Sequence, residues 1–494
     1  MRLLALDAGT TGIAAFVFDA RGRIVASADR EFPQHFPKPG WVEHDAEEIW
    51  RTTLRVVRLA LRRARLPPKG IDAIGITNQR ETTVAWDARS GKALARAIVW
   101  QDRRTAPRCE ELKAEGREDW LKDRTGLVAD AYFSATKMEW MLRNVPKVRK
   151  AAAEMRLRFG TVDAFLVSRL TGGTVHATDP SNASRTLLYD LDRRAWSDEL
   201  LALFRVPREA LPEIRLSAGG FGVASKKLLG VEAPITGVAG DQQAALFGQA
   251  CHEPGRAKST YGTGTFVLMH TGAKRPASRR LLATAAWDVG DGVEYALEGS
   301  IFTTGASVQW LRDELRLVKH ARETERLARK VADTGGVRFL PALAGLGAPH
   351  WDPEARGTIA GITRGTSRAH IARAVLEATA FRTAEVAAAM QEDSGVALSK
   401  LRVDGGGSRN GFLMQLQADL LGVPVERPKV SETTALGAAS LAALGAGLFR
   451  SRKEVTRTWR LDKRFAPRIG AEERATRMAE WSRFVARAKA LTAA

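Results

Sequence analysis

Residues 71–82 read IDAIGITNQRET: an apolar run rich in isoleucine, then Thr, Asn, Gln, Arg, Glu and Thr with no glycine or proline among them. A surface loop could carry such residues. So could a polar pocket at the carboxyl end of a buried strand, where ligands bind in open α/β sheets. Upstream, LLALD, AAFVFD and IVASADREF alternate with turn residues such as Ala20-Arg21-Gly22, the pattern of successive strands. Asp45 with Glu48 three residues on predicts a capped helix start, and Ile49, Trp50, Leu54, Val57 and Leu61 then recur at helical spacing. Downstream come TTVAWD and the apolar triplet IVW ending at Trp100. Strands, a helix and more strands in this order predict an antiparallel unit joined to parallel strands, that is, a mixed α/β sheet.

At 494 residues the chain is too long for one core and suits two domains. The boundary is expected near His252-Glu253-Pro254-Gly255, dividing 1–250 from 251–494. Before it, residues 102–230 read as mostly helical and charged, with helices at 134–143 and 162–170, and ITGVAGDQQAALFGQ (235–249) reads as strand, polar turn, helix. After it, STYGTGTFVLMH restarts the strand pattern, followed by the strand VEYALEG, a helix through Val308 to Leu311, a long helix from His370 to about Met390, the strand LRVDGG and a helix from Gly411 to Leu421. DAGTTG (7–12) after LLAL and DGGGSRNG (404–411) after LRV echo each other as an apolar strand, an Asp and a Gly-rich turn. Such a repeat predicts two domains of related design across a cleft.

Hydrophobic residues make up 45% and charged residues 27%, a globular composition. The formal charge of +20 raises nucleic-acid binding. The Arg and Lys are dispersed, however, and no zinc-finger or RNP-like signature is present, so no nucleic-acid partner is expected. Cys109 and Cys251 are too few and too isolated for a disulfide framework or a metal site. That usage, with an N-terminus MRLLALD that lacks a signal-peptide run, predicts a cytoplasmic protein. The apolar tract ALGAASLAALGAGLF (435–449) is too short and too rich in Ala and Gly for a membrane span and reads as a buried helix. RATRMAEWSRFVARAKA (474–490) reads as a docking helix with a wet face.

Three Gly/Thr-rich turns, at 7–12, 262–265 and 405–408, suit phosphate oxygens, because glycine lets backbone N–H groups come close to an anion and threonine adds short donors. The Walker, dinucleotide-binding and protein-kinase patterns are absent. Asp7 and Asp241, each at a strand end beside a polar turn, offer carboxylates to a hydrated Mg²⁺; each could equally cap its turn. Arg80, Glu81, Asp241 and Gln242 come from two strand ends, and an Arg fork beside a carboxylate suits a neutral polyol. An ion pair that merely welds two loops is the competing reading. Trp100, Tyr132 and Phe266 could line the same cleft as an apolar wall.

On KPGWVEHD (38–45), GITNQRETT (75–83), YFSATKMEWMLRN (132–144), TDPSNASRT (178–186), AGDQQAALFGQ (239–249), TYGTGTF (260–266), GASVQWLRDE (305–314), GLGAPHWDP (345–353) and VDGGGSRNGFLMQ (403–415), the chain resembles the FGGY carbohydrate kinases, and within them the glycerol-phosphorylating branch. The resemblance implies two actin-like, ribonuclease-H-like domains with mixed sheets around an interdomain cleft, and ATP with Mg²⁺ as cofactors. It implies that Arg80, Glu81, Tyr132, Asp241 and Gln242 grip glycerol against Trp100 and Phe266. It also implies nucleotide contacts at Thr10, Thr11, Gly12, Thr263, Gly305, Gln309, Gly406 and Asn410, Asp7 near the metal, and Asp241 as general base. A homo-oligomer, dimer or tetramer, is expected.

The chain departs from the family pattern at DAGTTGIA, where DQGTTSSR is usual: Ala8 replaces a Gln, Gly12 a Ser and Ala14 an Arg that contacts nucleotide phosphates. Weaker nucleotide binding or a slower chemical step is the expectation. At 225–233, SKKLLGVEA stands where some members carry a Gly/Arg loop for an inhibitory sugar bisphosphate, so no such inhibition is expected. A kinase for another polyol or sugar, and a regulatory protein whose chemistry has weakened at Ala14, are the alternatives.

Overall fold

The computed structural model describes residues 1–66 and 70–492. In the first half, β1 (Arg2–Ala8), β2 (Gly12–Asp19) and β3 (Ile24–Glu31) form an antiparallel meander. Helix α1 (Ala46–Ala64) buries Ile49, Trp50, Val56, Val57 and Leu61. Its cap is the Asp45 side chain, which accepts from the Glu47 N–H, while Glu48 pairs with Arg51 and is not the reciprocal partner the spacing suggests. The chain returns through β4 (Ala73–Asn78), α2 (Ser134–Asn144), α3 (Val162–Leu170), β5 (Val223–Ala224), β6 (Ala233–Gly240) and α4 (Asp241–Gly248). The sheet order is β5-β6-β4-β1-β2-β3, with β4 parallel to both β1 and β6. All six residues of β4 are buried, the uniform burial expected of a parallel strand covered on both faces.

The second half places β7 (Arg256–Tyr261), β8 (Thr265–Gly272), β9 (Leu282–Asp288) and β10 (Val293–Ile301) before α5 (Gly305–Asp313) and α6 (Arg368–Ser394). Then come β11 (Lys400–Asp404), α7 (Gly411–Leu421), β12 (Val425–Pro428), α8 (Thr433–Gly445), β13 (Leu461–Phe465) and α9 (Ala471–Thr492). The order β9-β10-β8-β7-β11-β12-β13 repeats the first plan: three antiparallel strands, two parallel ones and an antiparallel edge, with β9 added at the far side.

This topology corrects the internal repeat. β11, which ends at Asp404, lies parallel to β7 as β4 lies parallel to β1, so DGGGSRNG occupies the place of TNQRET and not of DAGTTG. The counterpart of the β1–β2 turn is the β7–β8 turn at 262–264. A strand ending in Asp and glycine marks any strand that stops at a ligand-facing edge, so the motif alone does not identify which strand carries it.

Helix α8 is buried, as its composition predicts, but it packs on the first sheet although it comes from the second half of the sequence. A Cβ on Gly75 of β4 would lie 2.1 Å from the Ala438 carbonyl oxygen, and one on Gly437 would lie 1.8 Å from that of Ala244 in α4. The helix is Ala/Gly-rich because backbone meets backbone on both of its flanks. Helix α9 docks on the second core through Trp481, Val485 and Ala488, with Trp481 stacked on Phe381 at 4.9 Å.

Candidate active site

The polar residues at the end of β4 divide into two sets. Asn78, Gln79 and Thr82 are structural. The Gln79 N–H donates to the Ala8 carbonyl at 2.8 Å and its carboxamide donates to Gly9 at 3.2 Å, which fixes the β1–β2 turn. The Thr82 hydroxyl accepts from the Trp100 N–H at 3.2 Å. Arg80 and Glu81 form the second set, turned into a buried charge cluster. Glu81 has φ = 60°, and the Thr82 N–H donates back to the Arg80 carbonyl at 2.7 Å, closing a three-residue turn of the rare, strained hand.

That turn places two nearly inaccessible side chains in a dense charge cluster. Arg80 Nη1 donates to Glu298 Oε2 at 2.5 Å and Nη2 donates to Oε1 at 3.2 Å, a bidentate pair. Arg185 Nη2 donates to Glu298 Oε1 at 2.9 Å, and its Nε donates to Glu81 Oε1 at 2.6 Å. The Arg80 Nε lies 3.2 Å from Asp241 Oδ1 without the alignment of a hydrogen bond. The Tyr132 hydroxyl is 3.5 Å from Arg80 Nη2. Burial alone would raise the Glu298 carboxyl, but Arg185 and Arg80 hold it down to about 2. Glu81 goes the other way: burial, reinforced by Glu298, raises it despite Arg185 and Arg80.

Asp241 opens α4, and its side chain is 30% exposed while those of Arg80 and Glu81 are each 2% exposed. It is therefore the carboxylate of the cluster that a substrate can reach. The next residue, Gln242, accepts through Oε1 from Lys258 Nζ, which also donates to the Thr260 hydroxyl at 3.0 Å. Burial pushes the Lys258 ammonium down to about 8 against the pull of Asp404, Asp241 and Glu298. The Trp100 indole lies in a turn after its strand, meets Tyr132 edge-on at 5.6 Å and donates to the Thr10 hydroxyl at 2.9 Å. Phe266, half-buried, pairs across its sheet with Thr260 and Ser300. Directly opposed residues share a face, and period 2 along each strand adds Lys258 and Glu298 to that face. Phe266 thus sits on the side of the second sheet whose charged members reach Gln242 and Arg80.

The expected phosphate residues gather around glycine backbone. The Thr263 carbonyl accepts from the N–H groups of Thr304 and Ala306, and the Gly305 N–H donates to Gly262 at 3.1 Å, which joins the β7–β8 turn to the start of α5. A Cβ on Gly305 would stand 2.4 Å from the Gly262 carbonyl oxygen. Gly405 and Gly407 press on Tyr261, whereas a Cβ on Gly406 would enter open space. Thr11 and Gln309 are exposed, and Gly12 is half-buried against Arg30. Asn410 caps α7, its side-chain oxygen accepting from the Leu413 N–H at 3.0 Å.

Asp7 lies directly opposite Ala14 in the β1–β2 pair, so the two side chains share a face. Burial, then the charges of Asp241 and Glu432, push its carboxyl up to about 7. A buried carboxylate whose leading charged neighbours are the carboxylates Asp241 and Glu432 fits a cation. Among the described residues no group of three or more His, Cys, Asp or Glu is placed to hold a metal by itself.

Family models match residues 2–248, as the N-terminal domain of the FGGY family of carbohydrate kinases, and residues 257–446, as its C-terminal domain. The chain belongs to the FGGY family of carbohydrate kinases. Among its relatives, glycerol kinase 2 of Thermotoga maritima is 54% identical over 98% of this chain and 98% of that one. Glycerol kinase of Symbiobacterium thermophilum is 56% identical over 99% and 98%. The crystal structure of Plasmodium falciparum glycerol kinase with ADP superposes with a TM-score of 0.95 at 36% identity, covering 99% of this chain and 98% of that one. The two-domain FGGY fold implied by the motifs is the observed one.

Glu298, Arg185 and Lys258 are absent from the sequence-based site. Arg185 lies within TDPSNASRT, a stretch that carries the resemblance but whose Arg has no assigned role there. Glu298 interrupts the apolar strand VEYALEGSI, and Lys258 lies inside the strand RAKSTY that leads into the 262–265 turn; a charge inside a buried strand is the signal that could have found both.

Proposed function

We propose that this protein phosphorylates glycerol with ATP, giving sn-glycerol 3-phosphate and ADP. The observation that carries this reading is the pairing of one reachable carboxylate, Asp241, with the buried Arg80–Glu81 set, supported by full-length relatives that are glycerol kinases. Arg80 orients the carboxylate of Asp241 from 3.2 Å, while Glu81, Gln242 and the Tyr132 hydroxyl offer fixed acceptors and donors to the polyol. Trp100 and Phe266 would flank its carbon chain. Asp241 accepts the proton of the primary hydroxyl as that oxygen attacks the γ-phosphorus in line and the bond to the ADP oxygen breaks. Asp7 would hold the hydrated Mg²⁺, whose chemistry when bound is neutralisation of charge on the phosphate oxygens. Thr10, Thr11, Gly12, Thr263, Gly305, Gln309, Gly406 and Asn410 would present backbone and side-chain donors to the nucleotide. Residues 1–250 and 251–494 would act as acceptor and nucleotide lobes.

The test is ATP-dependent phosphorylation of glycerol, xylulose and gluconate side by side. Glycerol turned over with a kcat/KM at least about 100-fold above the others is the expected outcome, a discrimination within reach of a site built to hydrogen-bond its substrate. Equal use of a sugar or an acid would overturn the assignment. Fructose 1,6-bisphosphate is expected to leave the rate unchanged, and a clear dose response would contradict that.

A further inference from the structure

The acceptor site's polar groups are not confined to the half of the chain that supplies Arg80, Glu81, Tyr132, Asp241 and Gln242. Glu298 belongs to β10 of the second sheet, yet its two oxygens hold both terminal nitrogens of Arg80 and one of Arg185, across 218 and 113 residues of sequence. Its side chain is 0% exposed. Lys258 of β7, on the same face, holds Gln242. Gln243 completes the seam: its oxygen accepts from Arg80 Nη1 at 3.2 Å, and its nitrogen donates to Thr284 and Ala285 of β9.

We propose that Glu298, seconded by Lys258, is the positioning residue of the acceptor site, so that the second lobe forms the floor of the polyol pocket and sets which edge of Arg80 the substrate meets. This rests on the glycerol reading above. Both terminal nitrogens of Arg80 are held by Glu298, so the Nε edge is the one turned to Asp241, the partly exposed carboxylate 3.2 Å away. Swinging the guanidinium away would leave a buried carboxylate beside Arg185 with half its partners gone. The two halves of the chain are therefore fastened to each other at the polyol end. Neither Glu298 nor Lys258 touches the reacting atoms; each acts through Arg80 or Gln242.

The experiment measures KM for glycerol, KM for ATP and kcat in the full chain carrying Glu298→Gln, Glu298→Asp or Lys258→Met. Glu298→Gln, which is isosteric but uncharged, is expected to raise the glycerol KM about 30-fold or more, the scale of losing one partner of a buried charge pair, with the ATP KM within about 3-fold of the parent. Glu298→Asp keeps the charge but cannot span both arginines, and a rise of about 10-fold is expected; it carries the test if the Gln variant does not fold. Lys258→Met should raise the glycerol KM by about 5-fold through Gln242. A merely structural role would lower thermal stability and kcat while leaving both KM values unchanged, and that result in the folded variants overturns the proposal. A parent protein that turns over no glycerol overturns the functional reading, and this inference with it.

Discussion

Two carboxylates at the two ends of one cleft titrate in opposite directions. Glu298, buried between two guanidinium groups, is held down to about 2; Asp7, buried beside Asp241 and Glu432 with Ala14 opposite, is pushed up to about 7. The first end is charge-balanced before any ligand arrives. At the second, the charges nearest in influence to Asp7 are like charges. The difference teaches how the proposed work is divided: the proposed acceptor end is assembled from side chains of both halves of the chain, whereas the proposed phosphate end is built from glycine backbone.

The contrast can be broken at either end. The largest effect is expected from Asp241→Asn, which removes the proton acceptor but little volume: kcat should fall about 10²- to 10⁴-fold with small changes in either KM. A parent-like rate would remove the proposed base. Next, Ala14→Arg would place a guanidinium across the strand pair from Asp7, and the ATP KM should fall about 10-fold, the value of a charge-assisted contact; an unchanged ATP dependence of turnover would show that position 14 does not face the phosphates. Gly305→Ala drives a Cβ into the Gly262 carbonyl and should raise the ATP KM about 5- to 10-fold while sparing glycerol. Equal effects on both substrates would dissolve the division between the ends.

The smallest effect concerns stability. The native Asp7 carboxyl binds its proton more tightly than its unfolded counterpart, so the contribution it makes below pH 3.8 is lost as pH rises to about 7 and does not change further above that. In Mg²⁺-free and nucleotide-free protein at pH 8, Asp7→Asn should therefore stabilise the fold by about 1–2 kcal/mol in denaturant titration, a difference that should vanish near pH 4. Glu298 has the opposite sign: its contribution is complete above pH 4.5 and is lost as pH falls toward 2. Wild-type and Asp7→Asn curves that run parallel from pH 4 to 8 would show that Asp7 is not an isolated charge.

Much of this was legible in the residues. TNQRET, GDQQ and the glycine turns name the strand ends that meet at the cleft, because a buried strand that ends in charged side chains has few uses other than a pocket. Asp241 and Arg80 stand out for that reason. What escaped was set by tertiary pairing. The partners of Arg80 and Glu81 in this cluster, Glu298 and Arg185, lie 218 and 104 residues away, and nothing local in VEYALEGSI says that its second Glu faces another lobe. The repeat was misaligned because Asp-Gly endings occur on β1 and β11, which hold different places in the two sheets. Helix α8 was readable as buried, but its seat on the first sheet depends on Gly75 and on the helix's own Gly437, which only the packing reveals.

The most direct measurement is calorimetric titration of glycerol into the protein with no nucleotide or Mg²⁺ present. A prebuilt acceptor end predicts saturable binding of one glycerol per chain, with an affinity that changes by less than about 3-fold when Mg²⁺ and ADP are added. Glycerol that binds only once nucleotide and metal are bound, or that binds equally well to Arg80→Ala, would contradict it.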